Sequence, residues 1–225
     1  MKPELIIFDW DGTLADTTRP IIRTFQQSFA DCGLKAPDAD AIRALIGYSL
    51  PEIIFRLAPD AGEHLREELA EIYAAHYLNP NNHNMTLFPE AIPCLNTLKQ
   101  QGFWLAVATG KGRTGLDRSI MQTGTADFWM ATACASEYAS KPAPDMVFAL
   151  CSELGLEPSQ TLIVGDTTHD LDMAANAKAP AVAVPTGAHT AAQLATRPHL
   201  AILNDLSELP GFISRLSSKD RKSVV

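Results

Sequence analysis

Five short runs, apolar but for Thr132 and Thr161, punctuate the chain at 5–8, 103–108, 129–133, 161–164 and 181–184. Near-continuous apolar runs of this length predict strands covered on both faces. Between them, at 91–101, 114–122, 144–154 and 171–178, apolar positions recur at helical spacing. Strand and helix alternating in this way predict a parallel α/β sheet.

One stretch breaks the alternation. From residue 16 to residue 87 there is no strand-like run. Helical patterns fill it instead, such as Ile21-Ile22-Phe25-Phe29 and Leu65-Leu69-Ile72-Tyr73, punctuated by turn residues at Ala36-Pro37-Asp38 and Leu57-Ala58-Pro59-Asp60. The expected division is an α/β core over 1–15 and 86–225, with a helical insertion over 16–85 leaving by a loop at 79–84. The polar C-terminal stretch 217–223 reads as a frayed tail.

Composition narrows the class. With 225 residues, 46% of them hydrophobic, the chain buries a sizeable core. A net charge of -8 argues against nucleic acid or an anionic membrane as partner, although a local cation cluster or bound metal still permits an anionic substrate. No segment approaches the ~20 apolar residues of a membrane span, and the run after Met1-Lys2-Pro3-Glu4 is too short for an export signal. Cys32, Cys94, Cys134 and Cys151 form no C-x-x-C pair, which suits a reduced, cytoplasmic protein. A monomer and a weak homodimer are both compatible with the sequence.

Ligands of an open parallel sheet bind beyond the carboxyl ends of its strands. The first strand is followed by Asp9-Trp10-Asp11-Gly12-Thr13, whose two-residue spacing can direct both carboxylates to one side. Like charges so close call for a hard divalent cation or a shared proton. The second strand leads to Thr109-Gly110-Lys111, where a hydroxyl and helix-opening N–H groups suit phosphate oxygens. Lys141-Pro142 is expected to be extended, with Pro144 as a first helical residue. The fourth strand ends in Gly165-Asp166-Thr167-Thr168-His169-Asp170, which adds two carboxylates at a helix start.

In this order the pieces resemble the haloacid dehalogenase superfamily over nearly the whole chain. Phe8-Asp9-Trp10-Asp11-Gly12-Thr13-Leu14-Ala15-Asp16 is similar to its first motif, Thr109 to its second, Lys141-Pro142-Ala143-Pro144-Asp145 to its third and Gly165–Asp170 to its fourth. The insertion resembles the helical cap of the subgroup with phosphoglycolate phosphatases and β-phosphoglucomutases. One departure is Asn176-Ala177-Lys178-Ala179-Pro180, where the fourth motif's helix often ends in Ala-Gly.

The resemblance implies a Mg²⁺-dependent phosphatase acting on a small phosphorylated metabolite, phosphoglycolate-like or a sugar phosphate, with a mutase as the alternative. It implies Asp9 as nucleophile, Asp11 as acid–base, and Thr109, Gly110 and Lys141 on the phosphoryl oxygens. For the metal it implies Asp9, the backbone carbonyl of Asp11, Asp166 and, further out, Asp170. Dehalogenases of the family lack an acid at the Asp11 position, so its presence favours phosphoryl transfer. Arg43, Tyr48 and Ser49 of the insertion are candidates for reading the leaving group, the alternative being that Tyr48 packs internally and Arg43 is solvated. Arg113 is a weaker candidate.

Two other patterns compete. Gly110-Lys111-Gly112-Arg113-Thr114-Gly115 spells a dinucleotide fingerprint, with Glu137 near the place of a ribose-binding acid. That fingerprint belongs to a first βα unit, and here the first unit carries the Asp pair. The stretch is not a P-loop, because Leu105 and Gly112 stand where Gly and Ser/Thr are required. The six histidines lack zinc spacing. His169 is expected to face solvent or the insertion, and Gly187-Ala188-His189 reads as a pocket rim.

Overall fold

A computed structural model describes residues 3–79 and 85–222, with side chains described to residue 216. Six parallel strands form one sheet: β1 (Leu5–Phe8), β2 (Trp104–Thr109), β3 (Ala131–Cys134), β4 (Thr161–Gly165), β5 (Ala181–Ala183) and β6 (Ala201–Ile202). Their order is β3-β2-β1-β4-β5-β6. Strand order reverses between β1 and β4, so the crevice for a ligand lies above that pair.

Each strand alternates its side chains between two cores. Ile6, Phe8, Leu105, Val107, Leu162 and Val164 pack on one face, with α5 (Ala91–Gln100), α6 (Arg113–Thr123) and α10 (Leu209–Lys222). Leu5, Ile7, Ala106, Ala108 and Ile163 pack on the other, with α7 (Asp145–Leu154), α8 (Thr168–Ala177) and the short α9 (Ala191–Leu194). Both faces are covered, which is why these strands read as near-continuous apolar runs.

Between β1 and α5 the chain makes α1 (Thr18–Asp31), α2 (Ala39–Arg43), α3 (Leu50–Leu57) and α4 (Glu63–Leu78). They share a third apolar cluster built on Ile21, Phe25, Phe29, Ile42, Ile54 and Leu69. The chain enters and leaves this helical layer through one pair of segments held side by side. Asp16 N–H donates to Thr86 O at 2.9 Å, and Phe88 N–H donates to Leu14 O at 2.9 Å. The fold is therefore a Rossmann-like parallel sheet carrying an inserted set of helices. Most of the expected exit loop, residues 80–84, lies outside the described residues.

The elements differ from the sequence expectation in identifiable places. The strand β6 was not anticipated, being a half-buried edge of two residues with no periodicity to show. Rather than fraying from residue 217, the C-terminal segment continues as α10 to Lys222. Pro210 lies in the first turn of that helix, where a proline costs no hydrogen bond. Leu209 and Ile213, one turn apart and fully buried, anchor that helix. Pro144 is the residue before α7 rather than its first member, and the Lys141–Pro142 peptide is cis. The helix α8 begins at Thr168, three residues earlier than expected, because Thr167 and Asp170 form a reciprocal capping box. It ends on Lys178 in the left-handed region, at φ 57°, where glycine is more usual. No described helix is long and apolar enough to cross a membrane.

Candidate active site

The carboxyl ends of β1 and β4 converge on one buried ammonium. Asp9 follows β1 and is fixed by its N–H to Val164 O at 2.9 Å. Its Oδ1 lies 2.6 Å from Lys141 Nζ, and Asp170 Oδ1 lies 2.6 Å from the same nitrogen. The Lys141 side chain is 0% exposed. Asp170 is held from behind, accepting from Thr167 Oγ1 at 2.6 Å and Thr167 N–H at 3.1 Å. Asp166 is equally buried and accepts from Thr13 Oγ1 at 2.8 Å and Ala188 N–H at 2.7 Å. So the stretch expected as a pocket rim supplies a backbone donor to a carboxylate.

Ligand atoms of Asp9, Asp166 and Asp170 lie within 4.8 Å of one another. Three carboxylates against one touching ammonium leave two formal negative charges uncompensated when all are ionised. Burial, opposed by Lys141 and reinforced by Asp170, pushes the Asp9 carboxyl up to about 7. Asp166 is raised well above the usual range by burial and then by Asp9 and Asp170. The second oxygen of Asp9, Oδ2, is buried without a hydrogen-bond partner. An all-oxygen donor set, a charge deficit of two and an orphaned carboxylate oxygen together suit a hard divalent cation.

Asp11 stands apart from this cluster. Its Oδ1 accepts from Thr17 Oγ1 at 2.7 Å and lies 2.9 Å from Lys111 Nζ. Lys111 Nζ also donates to the Tyr77 hydroxyl at 2.5 Å, which ties α4 to the β2–α6 loop. The sequence does not single out Thr17 and Lys111 as partners of Asp11, nor Tyr77 as a partner of Lys111. Lys111 stood in the Thr109-Gly110-Lys111 turn and in two competing motifs, and Tyr77 in no motif.

Asp9, Asp11, Thr109, Gly110 and Lys111 line a cavity of about 330 Å³ beneath the inserted helices. Thr109 closes β2 and is buried, with its Oγ1 accepting from Lys111 N–H at 3.3 Å. Gly110 is required by close approach: a Cβ there would sit 2.5 Å from the carbonyl oxygens of Gly47 and Tyr48. Tyr48 lines the cavity, and its ring lies 3.9 Å from that of His169. His169 faces the insertion, its Nε2 being 3.1 Å from Ala44 O.

The other two insertion candidates lie elsewhere. Arg43 does not line the cavity; it pairs with Asp40 at 3.6 Å on the surface. Ser49 caps α3, accepting from Glu52 N–H at 3.4 Å, while its own N–H donates to Ser140 Oγ at 2.8 Å. In both cases a local partner captures the polar group. Arg113 reaches the cavity lining but is engaged by Glu137, Asp117 and Thr132. The bidentate Arg113–Glu137 pair, at 2.8 and 2.7 Å, occupies the carboxylate that a ribose would need, which removes the dinucleotide reading.

The reversed strand order, the inserted helices and the carboxylate-lined crevice define an α/β enzyme of Rossmann-like hydrolase type. Residues 6–184 match the family model described as haloacid dehalogenase-like hydrolase, and the chain belongs to that family. It is 34% identical to a protein of Dickeya dadantii named probable phosphatase IndB, over 94% of this chain and 93% of that one. It is 32% identical to a phosphoglycolate phosphatase of Aquifex aeolicus, over 75% of this chain and 78% of that one. A crystal structure of a putative haloacid dehalogenase-like hydrolase from Bacteroides fragilis superposes with a TM-score of 0.85 at 27% identity, covering 92% of this chain and all of that one. The protein is a hydrolase of the phosphatase class.

Two outcomes follow from the charge imbalance. Mg²⁺ should raise the Tm of the wild type and raise that of Asp166→Asn far less, read by thermal scanning; equal shifts would count against the cluster as a metal site. In EDTA, a folded-state Asp9 pKa of about 7 against an ordinary 3.8 means that the folded protein holds the extra proton. That contribution to stability is complete below about pH 4 and is lost as pH rises through about 7. Urea midpoints should fall across this window, and Asp9→Asn should flatten the fall.

Proposed function

We propose that the protein is a Mg²⁺-dependent phosphatase that hydrolyses a small phosphorylated metabolite through an aspartyl-phosphate on Asp9. The observation that carries this reading is Asp9 itself: a cavity-lining carboxylate with one oxygen held by a buried lysine and the other unpartnered. Asp9 attacks the phosphorus in line, and the ester oxygen leaves as the P–O bond breaks. Asp11 gives that oxygen a proton, then takes one from the water that cleaves the acyl phosphate. Thr17 and Lys111 grip the same Asp11 oxygen and so fix the carboxyl group's direction.

Lys141 has three N–H donors, two of them directed to Asp9 and Asp170. The third would serve a phosphoryl oxygen, with Thr109 Oγ1 and Gly110 N–H as further donors. Asp9, the Asp11 carbonyl and Asp166 would hold Mg²⁺, with Asp170 acting mainly through Lys141. The metal supplies charge compensation on the transferring group, where most catalysis of phosphoryl transfer arises. Residues 16–85 would act as a cap that excludes bulk water, over a core formed by 1–15 and 86–225. Relatives carrying the name phosphoglycolate phosphatase make that ester the first to try.

Release of inorganic phosphate from a panel of phosphorylated metabolites should require Mg²⁺ and stop in EDTA. Asp9→Asn should lower turnover by at least about 10³-fold with an unchanged circular dichroism spectrum. A folded Asp9→Asn enzyme within about tenfold of the wild type would remove Asp9 as nucleophile.

A further inference from the structure

The cavity that opens on Asp9 has two unlike halves. Its floor carries Asp9, Asp11, Thr109 and Lys111. Its upper wall comes from the inserted helices, through Ile21 and Phe25 of α1, Leu50 and Ile53 of α3, and Tyr73 and Tyr77 of α4. The rings make a continuous surface. Phe25 and Tyr73 lie 4.3 Å apart between centroids, while Tyr73 and Tyr77 stack at 5.7 Å with 12° between planes.

Among the described residues, no lysine or arginine of the insertion lines this cavity. Arg43 pairs with Asp40, Arg56 pairs with Glu52 and lies over the Tyr48 ring, and Arg66 lies over the Phe55 ring. The two cations that do reach the lining belong to the core and are already matched, Lys111 by Asp11 and Arg113 by Glu137 and Asp117. The polar groups of the aromatic wall are phenols, and burial raises both Tyr73 and Tyr77 well above the usual range, so they are neutral near pH 7.

A carboxylate set against this wall would lose hydration with no cation to replace it, and a polyol would bury hydroxyls with few partners. A ring or branched alkyl group gains from the same burial, and a ring gains further from offset stacking. We infer that the cavity takes the phosphate monoester of a compact apolar alcohol, aromatic or branched, rather than a carboxylate- or polyol-bearing ester such as phosphoglycolate or a sugar phosphate. This rests on the phosphatase reading and names the substrate class of that same site.

The test is kcat/KM for Mg²⁺-dependent phosphate release from phenylethyl phosphate, ethyl phosphate, phosphoglycolate and a hexose phosphate. The phenylethyl and ethyl esters expel alkoxides of similar basicity, so their ratio reports the wall rather than the chemistry. Phenylethyl phosphate should exceed each of the others by about 10- to 100-fold. Leu50→Arg, which places a cation on a half-buried part of the wall, should move the preference towards phosphoglycolate by about tenfold or more. A wild-type enzyme that releases phosphate as well from phosphoglycolate or the hexose phosphate as from the phenylethyl ester overturns the substrate class and leaves the phosphatase reading standing. Release from none of the four, in folded protein with Mg²⁺, removes both. If Leu50→Arg fails to fold, the wild-type ratios decide the matter alone.

Discussion

Everything in the crevice is arranged around the Lys141 ammonium, which is buried between Asp9 and Asp170 and would be strongly destabilising without them. Placing those two carboxylates on one nitrogen requires the ends of neighbouring parallel strands, and β1 and β4 are paired in register from Leu5 with Thr161 to Phe8 with Val164. The requirement also explains the small residues around it. A Cβ on Gly165 would lie 2.3 Å from Asp170 Cβ, and one on Gly187 would lie 2.1 Å from Asp166 Oδ2. Gly12 is constrained twice, by φ of +85° and by a Cβ position 2.4 Å from Asp166 Oδ2. Backbone thus comes close to the carboxylates on several sides. One lysine cannot neutralise them all, and that deficit makes a divalent cation the natural complement of the site.

A second ion pair, Lys111 with Asp11, links the chemistry to the inserted helices. Because Lys111 also binds the Tyr77 hydroxyl, the acid–base candidate and α4 share one ammonium. The Gly47–Tyr48 turn against Gly110 and the Ser49–Ser140 hydrogen bond add contacts on the same rim. The insertion is therefore positioned by polar contacts at the cavity edge, while its apolar helix faces form the wall above the reacting atoms. On the proposed reading, the polar floor would carry the phosphoryl chemistry and the apolar wall would receive the rest of the ester.

Much of this was legible in the chain because it is local. Strands buried on both faces must be apolar almost throughout, so five of the six showed themselves as runs. Asp9, Asp11 and Asp166 follow strands, where sequence position nearly fixes spatial position, and Lys141 lies in the loop between β3 and α7. What could not be read depended on distant partners. That Lys111 pairs with Asp11 depends on β2 placing it there, and that it binds Tyr77 depends on α4 crossing the β2–α6 loop. Arg43 and Ser49 lie outside the cavity lining for the opposite reason: Arg43 pairs with Asp40 on the surface, as its solvated alternative has it, and Ser49 caps α3. Leu200–Leu203 is an apolar run as long as Leu5–Phe8, but only Ala201–Ile202 pairs, at the half-buried edge of the sheet.

The most direct measurement is acid-quenched trapping of the enzyme during turnover with a hydrolysed ester and Mg²⁺, followed by peptide mass spectrometry. The account predicts the mass of one phosphoryl group on the peptide bearing Asp9, lost on treatment with hydroxylamine and absent from Asp9→Asn. A phosphoryl group on any other residue, or steady turnover by a hydroxylamine-insensitive enzyme with no label at Asp9, would contradict it.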